Sequence, residues 1–336
     1  MKKILLIKLS SLGDVIFNIP LANMLKDNGY NVTWLVSDKG KQVIQNNPCV
    51  DKTIYIPSKC GLIDFIKVIK QLRKEKFDIA IDSQMMFKSL FYLAFCGAKR
   101  RITSKKSREL AWLGGNELVE DISYHPNVNI VMNYLNYAKY LGCDVSEDKI
   151  KVSLSESSLE QKSYVDNLLA KINPQNPTVV IAPATTWVNK HWNPDNWREV
   201  VKFLNGKSNL IFTGGAGDVD LINYISQGVG INLAGKTGIL DLVEIFKRSS
   251  LVIAPDSGSS YLAWASGVPK VITIFTCTPK EILKPLGDKN KYFACGNDYI
   301  SCQPCFKRKC KIKEKNKCTF YPNADIVIEK IKEFIF

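Results

Sequence analysis

Residues 4–26 read ILLIKLSSLGDVIFNIPLANMLK and combine a strand, a short turn and a helix. The apolar run at 4–9 is typical of a buried strand, and the small residues after it lead into an amphipathic helix. This order predicts that Asp14 lies at a helix N-terminus on the carboxyl edge of a parallel sheet, where doubly wound folds bind ligands. Asp14 would either cap the helix or accept a proton from a bound molecule. The turn lacks GxGxxG, so it carries no nicotinamide-type fingerprint.

Strand and helix patterns alternate along the first half of the chain, then restart after a polar passage at 143–178. Alternation of this kind is typical of a parallel sheet covered by helices on both faces. We therefore predict an α/β protein with two Rossmann-like doubly wound domains and a small-molecule site in the cleft between them. The predicted boundaries are residues 1–160 for the first domain, 161–322 for the second and 323–336 for an amphipathic last helix.

The composition favours an anionic partner. The 336 residues include 46 Lys and Arg against 32 Asp and Glu, a formal charge of +14. Nucleic acid, anionic lipid headgroups and phosphorylated sugars all fit this charge. No apolar run reaches the roughly 18 residues of a membrane span, and the N-terminus reads as a core strand rather than a signal peptide. We expect a soluble cytoplasmic protein.

A polar loop follows the predicted strand at 178–182 and reads ATTWVNKHW at 184–192. The hydroxyls of Thr185 and Thr186 and the ammonium of Lys190 suit a diphosphate, because short donors and a point charge both bind phosphate oxygens. The alternative is an ordinary polar loop with a surface lysine.

Two further turns in the second half follow strands. Asp256, Ser257 and Gly258 precede a helix, so they could cap it, hold an anion at its N-terminus, or do both. The turn at 213–218 reads TGGAGD and ends in Asp218, whose carboxylate could reach ribose hydroxyls. Glycine in that turn could equally serve only the backbone.

The first half has a comparable strand end at 77–84, FDIAIDSQ, followed by Lys88. A dense basic run comes next and contains Lys99, Arg100, Arg101, Lys105, Lys106 and Arg108. A run of this kind is either a solvated basic face or a dock for a phosphorylated acceptor.

Cysteines are concentrated near the C-terminus as Cys302-x2-Cys305-x4-Cys310-x7-Cys318. Four thiolates in tetrahedral reach would bind a structural zinc ion, although the second pair is spaced irregularly. Reduced thiols in a basic loop and a disulfide are the alternatives.

With these motifs identified, the chain resembles glycosyltransferase family 9, the bacterial lipopolysaccharide heptosyltransferases. The resemblance covers nearly the whole length and rests on the order and spacing of four segments: KLSSLGD (8–14), FDIAIDSQ…KS (77–89), ATTWVNKHW (184–192) and PDSGSSYLAWASGVP (255–269). It implies the GT-B architecture, with two Rossmann-like domains facing across a cleft and a C-terminal helix that packs back toward the N-terminal domain.

The resemblance also implies roles for individual residues. Asp14 would be the general base and Lys190 would stabilise the leaving diphosphate. The expected donor-binding residues are Thr185, Thr186, Lys190, Asp218, Asp256, Ser257 and Gly258, and the expected acceptor-binding residues are Ser10, Ser11, Gly13, Lys88 and Arg108. Two positions depart from the family: this chain has Tyr261 where the heptosyltransferases usually have histidine, and Met85 where they usually have glycine.

The implied function is inverting transfer of heptose from ADP-heptose to the lipid A–Kdo inner core of lipopolysaccharide, without a catalytic metal or other cofactor. The ATT…KHW segment is most similar to heptosyltransferase I, and a heptosyltransferase II-like enzyme or a transferase for another sugar is the alternative. A zinc-containing nucleic-acid-binding protein is the alternative from another class. The expected partners are ADP-heptose, the phosphorylated glycolipid acceptor and the anionic inner face of the cytoplasmic membrane, with no nucleic acid.

Overall fold

A computed structural model describes residues 1–57, 59–287, 291–312 and 316–336. The chain divides into two compact units, Met1–Glu156 and Ser157–Phe336. This division lies close to the boundary predicted after residue 160. Each unit is a parallel sheet with helices packed against it, which confirms the predicted α/β class.

In the first unit, six parallel strands from residues 1–57 and 59–156 form one sheet in the order β3-β2-β1-β4-β5-β6. Its strands are β1 (Lys3–Ile7), β2 (Asn31–Ser37), β3 (Lys52–Ile56), β4 (Ile79–Asp82), β5 (Arg100–Lys106) and β6 (Glu117–Ser123). Its helices are α1 (Leu12–Phe17), α2 (Ile19–Asp27), α3 (Asp38–Ile44), α4 (Leu62–Glu75), α5 (Phe87–Phe95) and α6 (Ile130–Tyr140), with 3-10 turns at Ala111–Gly114 and Glu147–Lys149.

The described part of the second unit repeats this topology, with six parallel strands in the order β12-β11-β10-β7-β8-β9. They are β7 (Thr178–Ile181), β8 (Asn209–Phe212), β9 (Ile231–Asn232), β10 (Leu251–Pro255), β11 (Val271–Phe275) and β12 (Tyr292–Gly296). The helices are α7 (Leu159–Leu168), α8 (Pro194–Leu204), α9 (Val219–Ser226), α10 (Ile239–Lys247), α11 (Gly258–Ser266), α12 (Lys280–Leu283) and α13 (Ala324–Ile335), with 3-10 turns at Val188–Lys190, Ala216–Asp218 and Lys317–Phe320.

The apolar strand runs form the two cores. Leu5 and Ile7 of β1 pack with Val68 and Leu72 of α4 on one face of the first sheet. The central strands are buried on both faces, which is why their sequences are continuous apolar runs rather than alternating ones.

The basic run at 99–108 contains the whole of strand β5. The Arg100 guanidinium donates to both carboxylate oxygens of Glu117 at 2.7 and 2.8 Å, and Lys105 pairs with Glu120. These four charges are therefore paired across the β5–β6 ladder, and Arg100 and Lys105 are not free to form an acceptor dock.

The last helix, α13, packs on α8 through a buried stripe that includes Val327 and Ile331. It forms part of the second unit. In the described parts of the chain, no helix combines the length and the apolar character that crossing a membrane requires.

Candidate functional site

The predicted motifs follow the two central strands of each sheet. Strand order reverses between β1 and β4 in the first unit and between β7 and β10 in the second. Ligands of doubly wound sheets bind outside the carboxyl ends of the strands at such switch points. KLSSLGD (8–14) follows β1, SQMMFK (83–88) follows β4, ATTWVNK (184–190) follows β7, and DSG (256–258) follows β10. The fold thus brings the motifs together in pairs, one pair in each unit.

Asp14 both caps α1 and keeps one oxygen available. Its Oδ2 accepts from the Ser11 amide at 3.1 Å and from the Ser11 hydroxyl at 2.8 Å. Its Oδ1 faces the ammonium of Lys8 at 4.0 Å, and the side chain is 41% exposed. The capping and proton-accepting roles can therefore coexist on separate oxygens.

Lys8 is a site residue that the sequence analysis did not single out. Its side chain is 3% exposed, and its Nζ donates to the Tyr134 hydroxyl at 2.9 Å and to the Ser83 carbonyl at 3.1 Å. Burial lowers the pKa of Lys8, and the negative charges of Asp14 and Asp82 oppose that shift. A lysine that directly follows a continuous apolar strand is the one sequence feature connected with this buried charge, and it is too weak to identify Lys8 by itself.

Gln84 links the two motifs of the first unit. Its side-chain oxygen accepts from the amides of Leu9 and Ser10 at 2.9 and 3.1 Å. Asp82 in turn accepts from the amides of Gln84 and Met85 and from the hydroxyl of Ser89. Burial raises the pKa of Asp82 to about 6, and these hydrogen bonds limit the rise.

Met85 has a φ of +57°, the left-handed region that favours glycine. This backbone conformation explains why glycine is usual at that position in the family that the sequence resembles. Met85 is nevertheless buried, so its side chain contributes core packing that glycine lacks.

The predicted acceptor residues lie around the same strand ends. Ser10 and Ser11 form the turn before α1, and Gly13 lies in its first turn. Lys88 is exposed near the start of α5. The Arg108 amide donates to the Met85 carbonyl at 3.0 Å, and the Arg108 guanidinium lies 5.0 Å from the centre of the Tyr124 ring.

In the second unit, Lys190 and Asp256 form an ion pair of 2.6 Å between Nζ and Oδ2. The carboxylate is 1% exposed and the lysine 16%. Asp256 also accepts from the hydroxyls of Tyr261 and Thr278. Tyr261, where the family usually has histidine, is therefore a hydroxyl donor to this carboxylate. With its oxygens occupied, Asp256 is best suited to hold Lys190 in place rather than to bind a ligand itself.

The 184–190 loop is ordered by its own contacts. The His191 ring lies 2.8 Å from the Thr185 carbonyl, and the Lys190 ammonium lies 4.8 Å from the centre of the Trp187 ring. Thr185 is half-buried and Thr186 is exposed, so the Thr186 side chain reaches solvent.

Ser257 precedes α11, which begins at Gly258. The Ser257 hydroxyl is buried and finds no hydrogen-bond partner among the residues that the structure describes. A buried hydroxyl without a partner is costly unless a ligand or water pairs with it. Together with the amides at the start of α11, it forms a candidate anion site.

Asp218 closes its own turn, because its Oδ2 accepts from the Gly215 amide at 2.7 Å. One carboxylate oxygen is thus committed to the backbone. A contact between the other oxygen and a ribose stays a prediction.

The cysteine-rich segment packs against the 184–190 loop. The Asn189 side-chain amide donates to the Lys307 carbonyl at 2.9 Å, and the rings of Trp187 and Phe306 lie 5.9 Å apart. The Phe306 amide donates to the Cys277 carbonyl at 2.7 Å. The segment therefore supports the loop that presents Lys190.

The structure does not support a zinc site at Cys302, Cys305, Cys310 and Cys318. Among the described residues, which include all four cysteines, no group of three or more His, Cys, Asp or Glu is arranged to hold a metal ion. Burial, together with the smaller effects of Cys305, Cys302 and Cys310, raises the pKa of Cys318 to about 11. The four cysteines lie near one another, and none of them forms a disulfide with another described residue.

Two curated relatives match most of the chain. A lipopolysaccharide core heptosyltransferase of Haemophilus influenzae is 24% identical over 80% of this chain and 78% of its own length. Lipopolysaccharide heptosyltransferase 1 of Campylobacter coli is 26% identical over 82% of this chain and 84% of its own length.

Solved structures share the fold over its full extent. A glycosyltransferase family 9 protein of Veillonella parvula has a TM-score of 0.85 at 18% identity and covers 99% of this chain and 97% of its own. Escherichia coli heptosyltransferase II has a TM-score of 0.77 at 18% identity, covering 100% and 98%. E. coli heptosyltransferase WaaC with ADP has a TM-score of 0.73 at 18% identity, covering 98% and 99%. These likenesses confirm the GT-B architecture.

Residues 65–316 match glycosyltransferase family 9 (heptosyltransferase). The match spans well over half of the chain and includes the 184–190 loop and the Asp256 turn. It favours a transferase over the nucleic-acid-binding hypothesis, because it covers part of the first unit and most of the second. The chain belongs to glycosyltransferase family 9 and is a glycosyltransferase.

Proposed function

We propose that the protein transfers heptose from ADP-heptose to the lipid A–Kdo inner core of lipopolysaccharide with inversion at the anomeric carbon. The observation that carries the proposal is the buried Lys190–Asp256 ion pair beside the unpartnered Ser257 hydroxyl. The names of the relatives support the substrate class, and the E. coli structure with ADP supports the donor nucleotide.

The donor diphosphate binds at the second switch point. Lys190 supplies a fixed positive charge, while Thr186, the Ser257 hydroxyl and the amide of Gly258 supply short donors. As the bond between the anomeric carbon and the phosphate oxygen breaks, negative charge grows on ADP. Donors that are already in position stabilise that charge without reorganising. We expect transfer to proceed in EDTA because the protein supplies this charge itself.

The acceptor hydroxyl is activated at the first switch point. Its oxygen attacks the anomeric carbon as its proton passes to Asp14, whose Oδ1 is not engaged by Ser11. General-base assistance of this kind contributes on the order of 10²- to 10⁴-fold. Ser10, Gly13, Lys88 and Arg108 surround this end of the sheet and would orient a phosphorylated acceptor.

The second candidate is a heptosyltransferase II-like enzyme, favoured by the TM-score of 0.77 to that E. coli structure. Both candidates use the same two strand-end sites and differ in the acceptor. We place the reaction at the cytoplasmic face of the inner membrane, where a lipid-linked acceptor would be available.

The test is incubation with ADP-heptose and lipid A–Kdo, followed by mass spectrometry for the gain of one heptose. The Asp14→Asn variant should lose transfer while ADP still raises the melting temperature. Asp64→Asn is the matched control, because Asp64 caps α4 by accepting from the Gly61 amide as Asp14 does for α1. Near-normal turnover in Asp14→Asn would remove Asp14 as the base. Heptose gain on an acceptor that already carries the first heptose, and on that acceptor alone, would favour the second candidate.

A further inference from the structure

Helices α4 and α5 and the 3-10 turn at Ala111–Gly114 form one layer over the first sheet. Their inner side chains, such as Leu72 and Leu93, are buried in the core. A layer that faced only water would carry polar residues on its outer side. This one does not.

The outer side of the layer presents large apolar side chains. Leu62 and Ile63 are 75% and 70% exposed, and every member of the following set is at least 50% exposed. We call this set the apolar patch: Leu62, Ile63, Phe87, Phe95, Leu110 and Leu113. Single exposed apolar residues are ordinary, whereas a contiguous group marks an interaction surface.

Contacts within the layer connect the three elements that carry the patch. The Phe91 ring lies 6.4 Å from Phe65 of α4 and 5.0 Å from Phe87. A Cβ on Gly114 would lie 2.7 Å from the Leu90 carbonyl oxygen, so the 3-10 turn packs directly on α5. The three elements therefore share one outer surface.

The charges around the patch are basic. Lys59, Lys67, Lys70 and Lys88 are exposed, and none of the four forms an ion pair with another described residue. Two acids lie nearby: Asp64 accepts from the Gly61 amide, while Glu109 accepts from the Phe87 amide and lies 3.8 Å from the Arg108 guanidinium. Exposed lysines without an ion-pair partner among the described residues thus lie on or next to the helices that carry the apolar patch.

We infer that this surface docks on an anionic lipid bilayer. Aromatic and aliphatic side chains would enter the interface, and the lysines would lie at the level of the phosphate headgroups. A symmetric pair of copies joined through the patch would bring the two sets of lysines together, which favours the bilayer over self-association. The inference rests on the proposed function in one respect: the lipid-linked acceptor of that function would be located in the membrane.

The experiment is co-sedimentation of the full chain with vesicles of phosphatidylethanolamine containing about 30% phosphatidylglycerol, and with phosphatidylcholine vesicles. We expect at least tenfold stronger partitioning onto the anionic vesicles, reduced by salt. Ile63→Ser/Phe87→Ser/Leu113→Ser should reduce partitioning at least tenfold on the anionic vesicles. Lys67→Gln/Lys70→Gln should reduce it several-fold.

Matched controls remove equally exposed residues elsewhere. Leu159→Ser/Phe320→Ser and Lys139→Gln/Lys171→Gln should bind vesicles like the wild type. Stabilisation by ADP in every variant would show that the fold is intact, and transfer to a deacylated acceptor would report the proposed function separately. Equal partitioning of the patch variant and its control would overturn the inference. So would a concentration-dependent dimer that the patch substitutions abolish while vesicle binding is absent.

Discussion

The ammonium of Lys190 lies 2.6 Å from the carboxylate of Asp256, although the two residues follow different strands of the second sheet. The family resemblance implies a donor-binding role for both. The structure separates their functions, because Asp256 is buried and already accepts from Tyr261 and Thr278. We therefore expect Asp256 to act as a positioning residue and Lys190 to be the group that meets a phosphate.

This relationship predicts different outcomes for stability and activity. Lys190→Met should lower the free energy of unfolding by about 1.5–3 kcal/mol, the usual value of a hydrogen bond to a charged group. The double variant Lys190→Met/Asp256→Asn should lose roughly 1–2 kcal/mol less stability than the sum of the losses in the two single variants. In the double variant no carboxylate is left buried without its cation. Turnover should be low in both variants. Denaturant unfolding and initial rates measure both; additive stability losses would show that the pair is not coupled.

Lys8 is predicted to position Asp14 and the strand ends around it. Lys8→Met keeps the apolar stem but removes the ammonium, so we expect kcat to fall roughly 10- to 100-fold with the donor KM unchanged. Lys3→Met, at the exposed start of the same strand, is the control. A rise in donor KM with kcat retained would contradict this role.

Asp82 gives a prediction about pH. Its pKa is raised to about 6 in the folded protein from an ordinary 3.8 because the carboxyl is buried. Between these values the folded protein binds a proton that the unfolded chain releases, so the contribution of Asp82 to stability falls as pH rises. The loss is on the order of 3 kcal/mol when complete.

Asp82→Asn removes this titration while an amide can still pair with Ser89 and the two backbone amides. We therefore expect Asp82→Asn to become more stable relative to the wild type as pH rises from 4 to 7, measured as the difference between their free energies of unfolding. Parallel stability curves for wild type and variant across that range would show that Asp82 titrates normally.

The contact between Phe306 and Trp187 predicts an indirect effect on the donor. Phe306→Ala should raise the KM for the ADP-sugar roughly 3- to 10-fold, because the loop that presents Lys190 loses part of its support. Phe320→Ala, also more than a third exposed and in the same unit, should leave it unchanged. An unaltered KM in Phe306→Ala would mean that the loop is held without this ring.

The sequence predicted the doubly wound fold because the central strands are continuous apolar runs. Strands β5 and β6 were missed, since Arg100 and Lys105 break the apolar pattern and find their partners only across the ladder. Short β9 and edge strand β12 were missed for a related reason: they are partly exposed, and their sequences carry little periodicity.

The site was predictable where a motif directly follows a central strand, as for Asp14 and Lys190. Lys8 was missed because a single lysine at a strand end gives no periodic signal. The support of the 184–190 loop by Phe306 was also missed, because a contact across more than a hundred residues is set by tertiary packing.

Because the cysteine-rich segment packs on this loop, we expect modification of its thiols to change the affinity for the nucleotide. Cys302 and Cys305 are partly accessible and lie close in sequence to Phe306. A bulky adduct on either sulfur would therefore disturb the contact between Phe306 and the 184–190 loop. In such an enzyme, electrophiles and oxidants would change the affinity for the sugar nucleotide without modifying any of the reacting groups.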